Sequence, residues 1–240
     1  MIDSNYFFDL KNKIIVALDV DELEKVKPLV DTLSPYVGCF KVGLELMTAV
    51  GAPQVIETIH RLGGQVFLDT KFYDIPNTMK GAARSAANLG VKMFNLHASC
   101  GIDGMKAAAQ EKGQSLLLAV TVLTSMNEEI CQSIYGNSVA HKVKDFARQA
   151  AASGVDGVIC SPQDLSILKS DPALEKLITI TPGVRPAWAE ANDQKRVFTP
   201  KEAILAGATA LVIGRPLTRP PREIGSPIEA AKRILEEISS

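Results

Sequence analysis

The chain has 240 residues, of which 46% are hydrophobic, and a formal net charge of −1 at pH 7. This near-neutral charge gives no electrostatic reason to expect a nucleic acid or an anionic membrane as a partner. No stretch approaches the roughly 18 apolar residues of a membrane span, and the first residues lack a basic, then apolar, secretion signal, so we expect a cytoplasmic protein. The cysteines form no near-neighbour pair of the kind that binds a metal.

The first part of the chain alternates short apolar runs with helical patterns. The run Ile14–Asp19 ends in an acid, and Asp21 is expected to cap the helix that follows. A second run, 37–43, carries Lys41 in its middle. The third, 65–68, is followed at once by an acid, a lysine and a second acid within six residues, namely Asp69, Lys71 and Asp74. Continuous apolar runs of this length are typical of parallel strands that are buried on both faces.

Five further apolar runs complete the pattern, at residues 92–97, 115–123, 157–160, 177–181 and 210–213. A helix is predicted to start at Thr199-Pro-Lys-Glu202, which has the spacing of a capping box. Eight strand–helix units of about 30 residues favour an α/β fold, a closed (β/α)8 TIM barrel forming a single domain over residues 1–240. No GxGxxG follows the first strand, which weighs against a dinucleotide-binding sheet.

A barrel of this kind forms its active site where the strands end, at one rim. The polar residues predicted at those ends are Asp19, Lys41, Asp69, Lys71, His97, Thr124, Arg185 and Arg215. These residues are far apart in sequence, but the closure of the barrel would bring them to the same rim. The sequence therefore predicts one functional site from several distant segments.

The acidic and basic residues of the first three strands favour a functional cluster. Side chains alternate along a strand, so Asp69 and Lys71 are expected on one face, with Asp74 on the next loop. Lys41, inside a strand, must face water or meet a carboxylate, and we expect a buried pair with Asp69. Asp19 could be a helix cap, although Asp21 suits that position better. The alternative for the whole cluster is an ordinary ion pair at a strand end.

An anion site is predicted after the last two strands, where such barrels often bind phosphate. Gly214 and Arg215 follow the eighth strand, Arg185 follows the seventh, and Gln194 lies on the long polar loop between them. The alternative is a salt bridge at the rim. Thr124 and Ser125 form either a plain turn or a pair of hydroxyls that bind a heterocycle, and the local sequence leaves both open. His97 is interpreted as a hydrogen-bonded packing residue rather than a metal ligand or base.

Taken together, these motifs resemble the bacterial branch of the orotidine 5′-phosphate decarboxylase family over nearly the whole chain. The resemblance is carried by Ala17-Leu-Asp19, Phe40-Lys-Val-Gly43, Leu68-Asp-Thr-Lys-Phe-Tyr-Asp-Ile-Pro-Asn-Thr78, Leu123-Thr-Ser-Met126, Thr181-Pro-Gly-Val-Arg185 and Val212-Ile-Gly-Arg-Pro216. The Asp-x-Lys-x-x-Asp part alone is shared with related sugar-phosphate decarboxylases. The Ile-Pro-Asn-Thr that follows it and the two arginine motifs are more specific.

The resemblance implies a carbon–carbon lyase that decarboxylates orotidine 5′-monophosphate to UMP in pyrimidine biosynthesis, without a cofactor or a metal. It implies that Lys71 protonates C6 and that Asp69 and Asp74 flank the departing carboxylate. It assigns Asp19 and Lys41 to the ribose and Thr124 and Ser125 to the pyrimidine. It assigns Arg185, Gln194, Gly214 and Arg215 to the phosphate. It also implies a homodimer in which Asp74, Ile75 and Thr78 reach the neighbouring site.

Two rival interpretations remain open at this point. In a metal-assisted sugar-phosphate decarboxylase or aldolase-like enzyme, the acids of the same motif would hold Mg²⁺. A catalytically silent nucleotide-binding barrel is disfavoured by the intact Lys71 and its two acids. The polar stretch from Pro182 to Phe198 is the candidate lid in the decarboxylase interpretation.

Overall fold

The computed structural model describes residues 6–189 and 198–240. Its eight strands form a closed parallel barrel in the order β1 to β8, which confirms the predicted fold class. The strands are β1 (Ile14–Leu18), β2 (Cys39–Val42), β3 (Val66–Phe72), β4 (Met93–His97), β5 (Leu116–Val120), β6 (Gly157–Ile159), β7 (Ile178–Pro182) and β8 (Ala210–Ile213). Each lies within or next to an apolar run of the sequence.

Helices connect the strands throughout the described chain. They are α1 (Leu23–Leu33), α2 (Leu44–Val50), α3 (Ala52–Arg61), α4 (Pro76–Asn88), α5 (Gly101–Ala109), α6 (Glu128–Tyr135), α7 (Val139–Ala152), α8 (Leu165–Lys169), α9 (Pro200–Ala206), α10 (Arg215–Thr218) and α11 (Pro227–Ser239). None of the helices described over residues 6–189 and 198–240 is both long and apolar enough to cross a membrane.

Two predictions about helix starts had different outcomes. The capping box at α9 is confirmed, because Thr199 Oγ1 accepts from the Glu202 N–H at 3.2 Å and Glu202 Oε2 accepts from the Thr199 N–H at 2.8 Å. The expected cap of α1 by Asp21 is wrong, since Glu22 occupies the N-cap position without a side-chain bond. Asp21 instead pairs with Lys25 at 2.7 Å on the helix surface.

The strands are apolar because they are enclosed on both sides. All five residues of β1 are buried, and β1 pairs with β2 on one side and β8 on the other. The alignment of β1 with β2 places Ala17 beside Lys41, and that of β2 with β3 places Lys41 beside Phe67. Strand β3 continues past the predicted end at Leu68, so Asp69 and Lys71 are part of the strand itself.

The described chain forms two compact units. The first unit comprises Met1–Asp69, Gly183–Leu205 and Thr209–Ser240, and the second comprises Thr70–Pro182 and Ala206–Ala208. The sequence predicts a single domain over residues 1–240, and this remains a prediction.

The N-terminal segment anchors the start of β2 in the first unit. Tyr6 donates its hydroxyl to the Gly38 carbonyl at 2.8 Å, and Asn12 Nδ2 donates to the Tyr6 carbonyl at 2.7 Å. Burial raises the pKa of the Tyr6 hydroxyl above its ordinary range. A Cβ at residue 38 would lie 2.6 Å from the Asn12 Cα, so this close approach requires glycine. The segment therefore has a structural role that its sequence did not indicate.

Candidate active site

Three charged side chains of the first unit meet, namely Asp19 directly after β1, Lys41 within β2 and Asp69 within β3. Lys41 Nζ lies 3.2 Å from Asp69 Oδ2 and 3.5 Å from Asp19 Oδ1. The Lys41 and Asp69 side chains are only 14% and 11% exposed, whereas that of Asp19 is 64% exposed. The predicted pairing of Lys41 with Asp69 is confirmed. A charge pair as buried as this one is costly to break from one side only, because the remaining charge would lie in a poorly solvated place.

Glycines leave room around these charges. A Cβ on Gly43 would lie 3.0 Å from Lys41 Nζ, which is tighter than an ordinary contact. A Cβ on Gly214, directly after β8, would lie 3.4 Å from Asp19 Oδ2. The structure thus brings Gly214, predicted to bind an anion, close to Asp19, predicted to bind a hydroxyl-bearing group.

The two candidate phosphate arginines occupy different surroundings in the first unit. Arg185 is 8% exposed, and its backbone N–H donates to the Phe198 carbonyl at 3.0 Å beside a bridge between Val184 and Phe198. Arg215 is exposed and begins the short helix α10. Their convergence on one phosphate remains a prediction. Gln194, and with it much of the candidate lid, lies outside the described residues.

In the second unit, Lys71 has an unusual backbone conformation. Its φ is +50°, and no other non-glycine residue in the described ranges has a positive φ. The Lys71 N–H donates to Asn95 Oδ1 at 2.7 Å, and Thr70 Oγ1 donates to the Asn95 carbonyl at 2.7 Å. Strand alternation assumes an extended residue, which Lys71 is not, so the placement of the Asp69 and Lys71 side chains on one face remains a prediction.

Asn95 is the site residue that sequence reasoning missed. It is fully buried within β4, between Phe94 and Leu96, which are also fully buried. The available signal was an amide inside an otherwise apolar strand, since buried amides occur where they have hydrogen-bond partners.

The segment after Lys71 is exposed over six consecutive residues, 73–78. It includes Asp74 and Thr78, and its Tyr73 and Ile75 side chains are 63% and 67% exposed. Asp74 Oδ1 accepts from the Ile75 N–H at 2.7 Å, just before α4 begins at Pro76. Large apolar side chains this exposed often mark a surface that another molecule covers.

Two further candidates lie on the second unit. Thr124 and Ser125 are exposed at the centre of a turn that closes with a 2.9 Å bond from the Met126 N–H to the Leu123 carbonyl. This geometry fits the turn interpretation and leaves the hydroxyls accessible. His97 ends β4, and its ring lies 6.3 Å from that of Tyr73 in an edge-on contact, in keeping with a packing role.

Within residues 6–189 and 198–240, no group of three or more His, Cys, Asp or Glu side chains could hold a metal ion. Within the Asp-x-Lys-x-x-Asp motif, Asp69 lies beside Lys41 and Asp74 accepts from the Ile75 N–H.

Known proteins resemble this chain over nearly its full length. A family model described as "Orotidine 5'-phosphate decarboxylase / HUMPS family" matches residues 12–234. A protein of Geotalea daltonii named orotidine 5'-phosphate decarboxylase is 46% identical over 240 residues, covering 96% of this chain and 97% of that protein. One of the same name from Moorella thermoacetica is 45% identical, covering 95% and 92%. A crystal structure of the Lactobacillus acidophilus orotidine 5'-phosphate decarboxylase matches with a TM-score of 0.81 and 32% identity, covering 95% of this chain and 100% of that one.

Proposed function

Because this chain belongs to the orotidine 5'-phosphate decarboxylase / HUMPS family, we propose that it decarboxylates orotidine 5′-monophosphate to UMP in pyrimidine biosynthesis. The observation that carries the proposal is β3, a single strand that bears both Asp69 and Lys71, with Asp69 paired to Lys41 at 3.2 Å. The relatives at 45–46% identity are named for this activity, which favours it over other activities of the same family.

The reaction requires strong electrostatic stabilisation. The bond between C6 and the carboxylate breaks, CO2 leaves, and the electron pair stays on an sp² carbon. No lysine imine can form there, so stabilisation must come from fixed charges. Enzymes typically lower barriers by about 8–23 kcal/mol, and this step calls for the upper end of that range. We assign Lys71 to stabilise the carbanion with its ammonium and then to transfer a proton to C6 without a cofactor.

The acids of the motif serve the same step. Asp69 is 8% exposed and would act from a poorly solvated position, where its charge is weakly screened. With Asp74, it would attract the Lys71 ammonium and repel a third carboxylate nearby. Loss of CO2 would then relieve that repulsion.

The remaining residues are assigned to binding. Asp19 and Lys41 would hold the ribose hydroxyls, and Gly214 and Arg215 would contact the phosphate. The closeness of Gly214 to Asp19 supports this arrangement, since a sugar and its 5′-phosphate are adjacent in the substrate. Arg185 and Gln194 would complete the phosphate site, and Thr124 and Ser125 would bind the pyrimidine. Phosphate binding energy can be used to close the site and exclude water.

The active unit would be a homodimer in the cytoplasm. Asp74, Ile75 and Thr78 would enter the neighbouring site. The support is their location in the exposed segment 73–78, where Ile75 is 67% exposed.

The test is to incubate orotidine 5′-monophosphate with the purified protein in excess EDTA and follow UMP and CO2. Turnover in EDTA is expected. Turnover that requires added Mg²⁺ would instead favour the metal-assisted relatives, in which Asp69 and Asp74 hold the ion. Tight UMP binding without turnover in either condition would favour the silent nucleotide-binding barrel.

A further inference from the structure

Asn95 is a polar residue in a place where the sequence otherwise puts only apolar ones. Met93, Phe94, Asn95 and Leu96 of β4 are all fully buried, and Asn95 pairs in register with Leu118 of β5. An apolar side chain would fill this position at lower desolvation cost. We therefore expect the buried amide to have a role that an apolar side chain cannot perform.

The contacts of Asn95 are directed at two consecutive residues of β3. Its side-chain oxygen accepts from the Lys71 N–H, and its main-chain carbonyl accepts from Thr70 Oγ1, each at 2.7 Å. The first of these bonds goes to the backbone of the residue to which we assign proton transfer.

Lys71 needs such a bond because its backbone is strained. With φ at +50°, the Cβ of a lysine crowds the neighbouring carbonyl oxygen, and such a conformation persists only where the surrounding structure enforces it. Once enforced, it sets the direction in which the Lys71 side chain leaves the strand.

We propose that Asn95 is a positioning residue, whose side-chain amide holds Lys71 in the left-handed conformation and so aims its ammonium at the reacting carbon. This inference rests on the proposed function for the chemistry. The conformational part concerns only Lys71 and Asn95 and can be tested without substrate.

The main variant is Asn95→Leu, which keeps a similar shape and removes the accepting oxygen. We expect kcat to fall about 100-fold, the loss that a displacement of about 1 Å causes at a reacting group. Because the proposal gives Asn95 no contact with the substrate, KM and the affinity for UMP should change less than threefold. A crystal structure of the variant should show Lys71 with a negative φ.

Two further variants separate positioning from stability. Asn95→Asp keeps an accepting oxygen and should retain positive φ at Lys71 and more kcat than Asn95→Leu. Ser115→Ala removes another buried bond of the second unit, from Ser115 Oγ to the Val91 carbonyl at 2.6 Å, and should lower the melting temperature while leaving kcat unchanged. If Asn95→Leu does not fold, Asn95→Ala takes its place with the same expected results.

The proposal is overturned if the variant that lacks the acceptor keeps kcat within threefold of the wild type, or if Lys71 keeps a positive φ in it. Equal losses in Asn95→Asp and Asn95→Leu would also overturn it. If the wild type does not decarboxylate orotidine 5′-monophosphate at all, the proposed function fails. The φ of Lys71 in the variant structures then still decides whether Asn95 fixes its conformation.

Discussion

Lys41 of β2 and Lys71 of β3 are positioned in different ways. Lys41, in the first unit, is oriented by charge, with Asp69 at 3.2 Å and Asp19 at 3.5 Å from its ammonium. Lys71, in the second unit, has its backbone oriented by an amide, through the 2.7 Å bond to Asn95, and adopts a φ of +50°.

This difference shows two levels at which a structure can place a cation. An ion pair acts on the end of a flexible side chain, and its strength depends on burial. A fixed backbone conformation sets the direction of the Cα–Cβ bond, whichever rotamer the side chain adopts. We therefore expect Lys41 to matter for both stability and binding, and Lys71 to matter chiefly for the chemical step.

Lys71→Ala is expected to have the largest effect, on turnover. Turnover should fall by at least about 10⁴-fold, because both the charge that stabilises the carbanion and the proton it needs are removed. The affinity for UMP, measured by calorimetry, should stay broadly intact. Lys176→Ala, an exposed lysine of the same unit, is the matched control. Substantial turnover by Lys71→Ala would rule out its role as proton donor.

Lys41→Met tests the other half of the comparison. Removing one partner of a buried pair leaves Asp69 with its charge poorly compensated, and we expect a loss of about 3 kcal/mol in the free energy of unfolding by urea. The additional substitution Asp69→Asn should restore part of it. Lys27→Met, which removes the exposed pair with Glu24, should change stability little. Equal effects of the buried and exposed variants would contradict this account.

Arg215→Ala tests whether the Arg215 side chain of the first unit binds the phosphate of the substrate. We expect kcat/KM for orotidine 5′-monophosphate to fall about 10- to 100-fold, the range for one charge-assisted hydrogen bond of about 1.5–3 kcal/mol. Activity on phosphate-free orotidine should be the same for variant and wild type. Arg222→Ala, another exposed arginine, serves as the control. If the wild type uses orotidine as well as its monophosphate, the phosphate site is misassigned.

The smallest effect concerns a buried carboxyl away from these lysines. Burial raises the pKa of Asp164 from 3.8 to about 6, although its carboxylate accepts from the Ser161 N–H at 3.0 Å. The folded state therefore binds this proton more tightly than the unfolded state, so the group costs stability as pH rises from about 4 through 6. Relative to wild type, Asp164→Asn should gain about 1 kcal/mol between pH 5 and pH 7.5.

Thermal or urea unfolding at the two pH values measures this gain. Asp171→Asn is a useful counterpart, because its ion pair with Arg148 lowers the pKa of the Asp171 carboxyl. That group stabilises the fold above its unfolded pKa, so the variant should lose stability rather than gain it at pH 7.5. A pH-independent difference for Asp164→Asn would show that its carboxyl does not titrate in this window.

Two short helices, α2 and α6, were not predicted from the sequence. After the second apolar run, the sequence predicts one helix, around Ala52–Leu62, whereas the structure has two, α2 and α3, separated by Gly51 with a φ of +95°. Helix α6 was also missed, although Asn127 caps it by accepting from the Ile130 N–H at 2.9 Å. Short helices are hard to predict because they contain too few residues to establish a period.

The sequence by itself determined the barrel and supplied the candidate site residues, except Asn95. Continuous apolar runs mark strands that are buried on both faces, and strand ends mark the positions of polar residues at the rim. The pairing of Lys41 with Asp69 followed as well, because a lysine inside a buried strand needs a carboxylate.

Only the tertiary structure decided the conformation of Lys71. Its positive φ is held by Asn95, a residue 24 positions away in the chain, and no local pattern around Lys71 records that bond. Local sequence encodes periodicity and burial, whereas a strained backbone depends on partners that folding brings together. For that reason the sequence identified the lysine proposed to do the chemistry, and the folded chain determined how it is held.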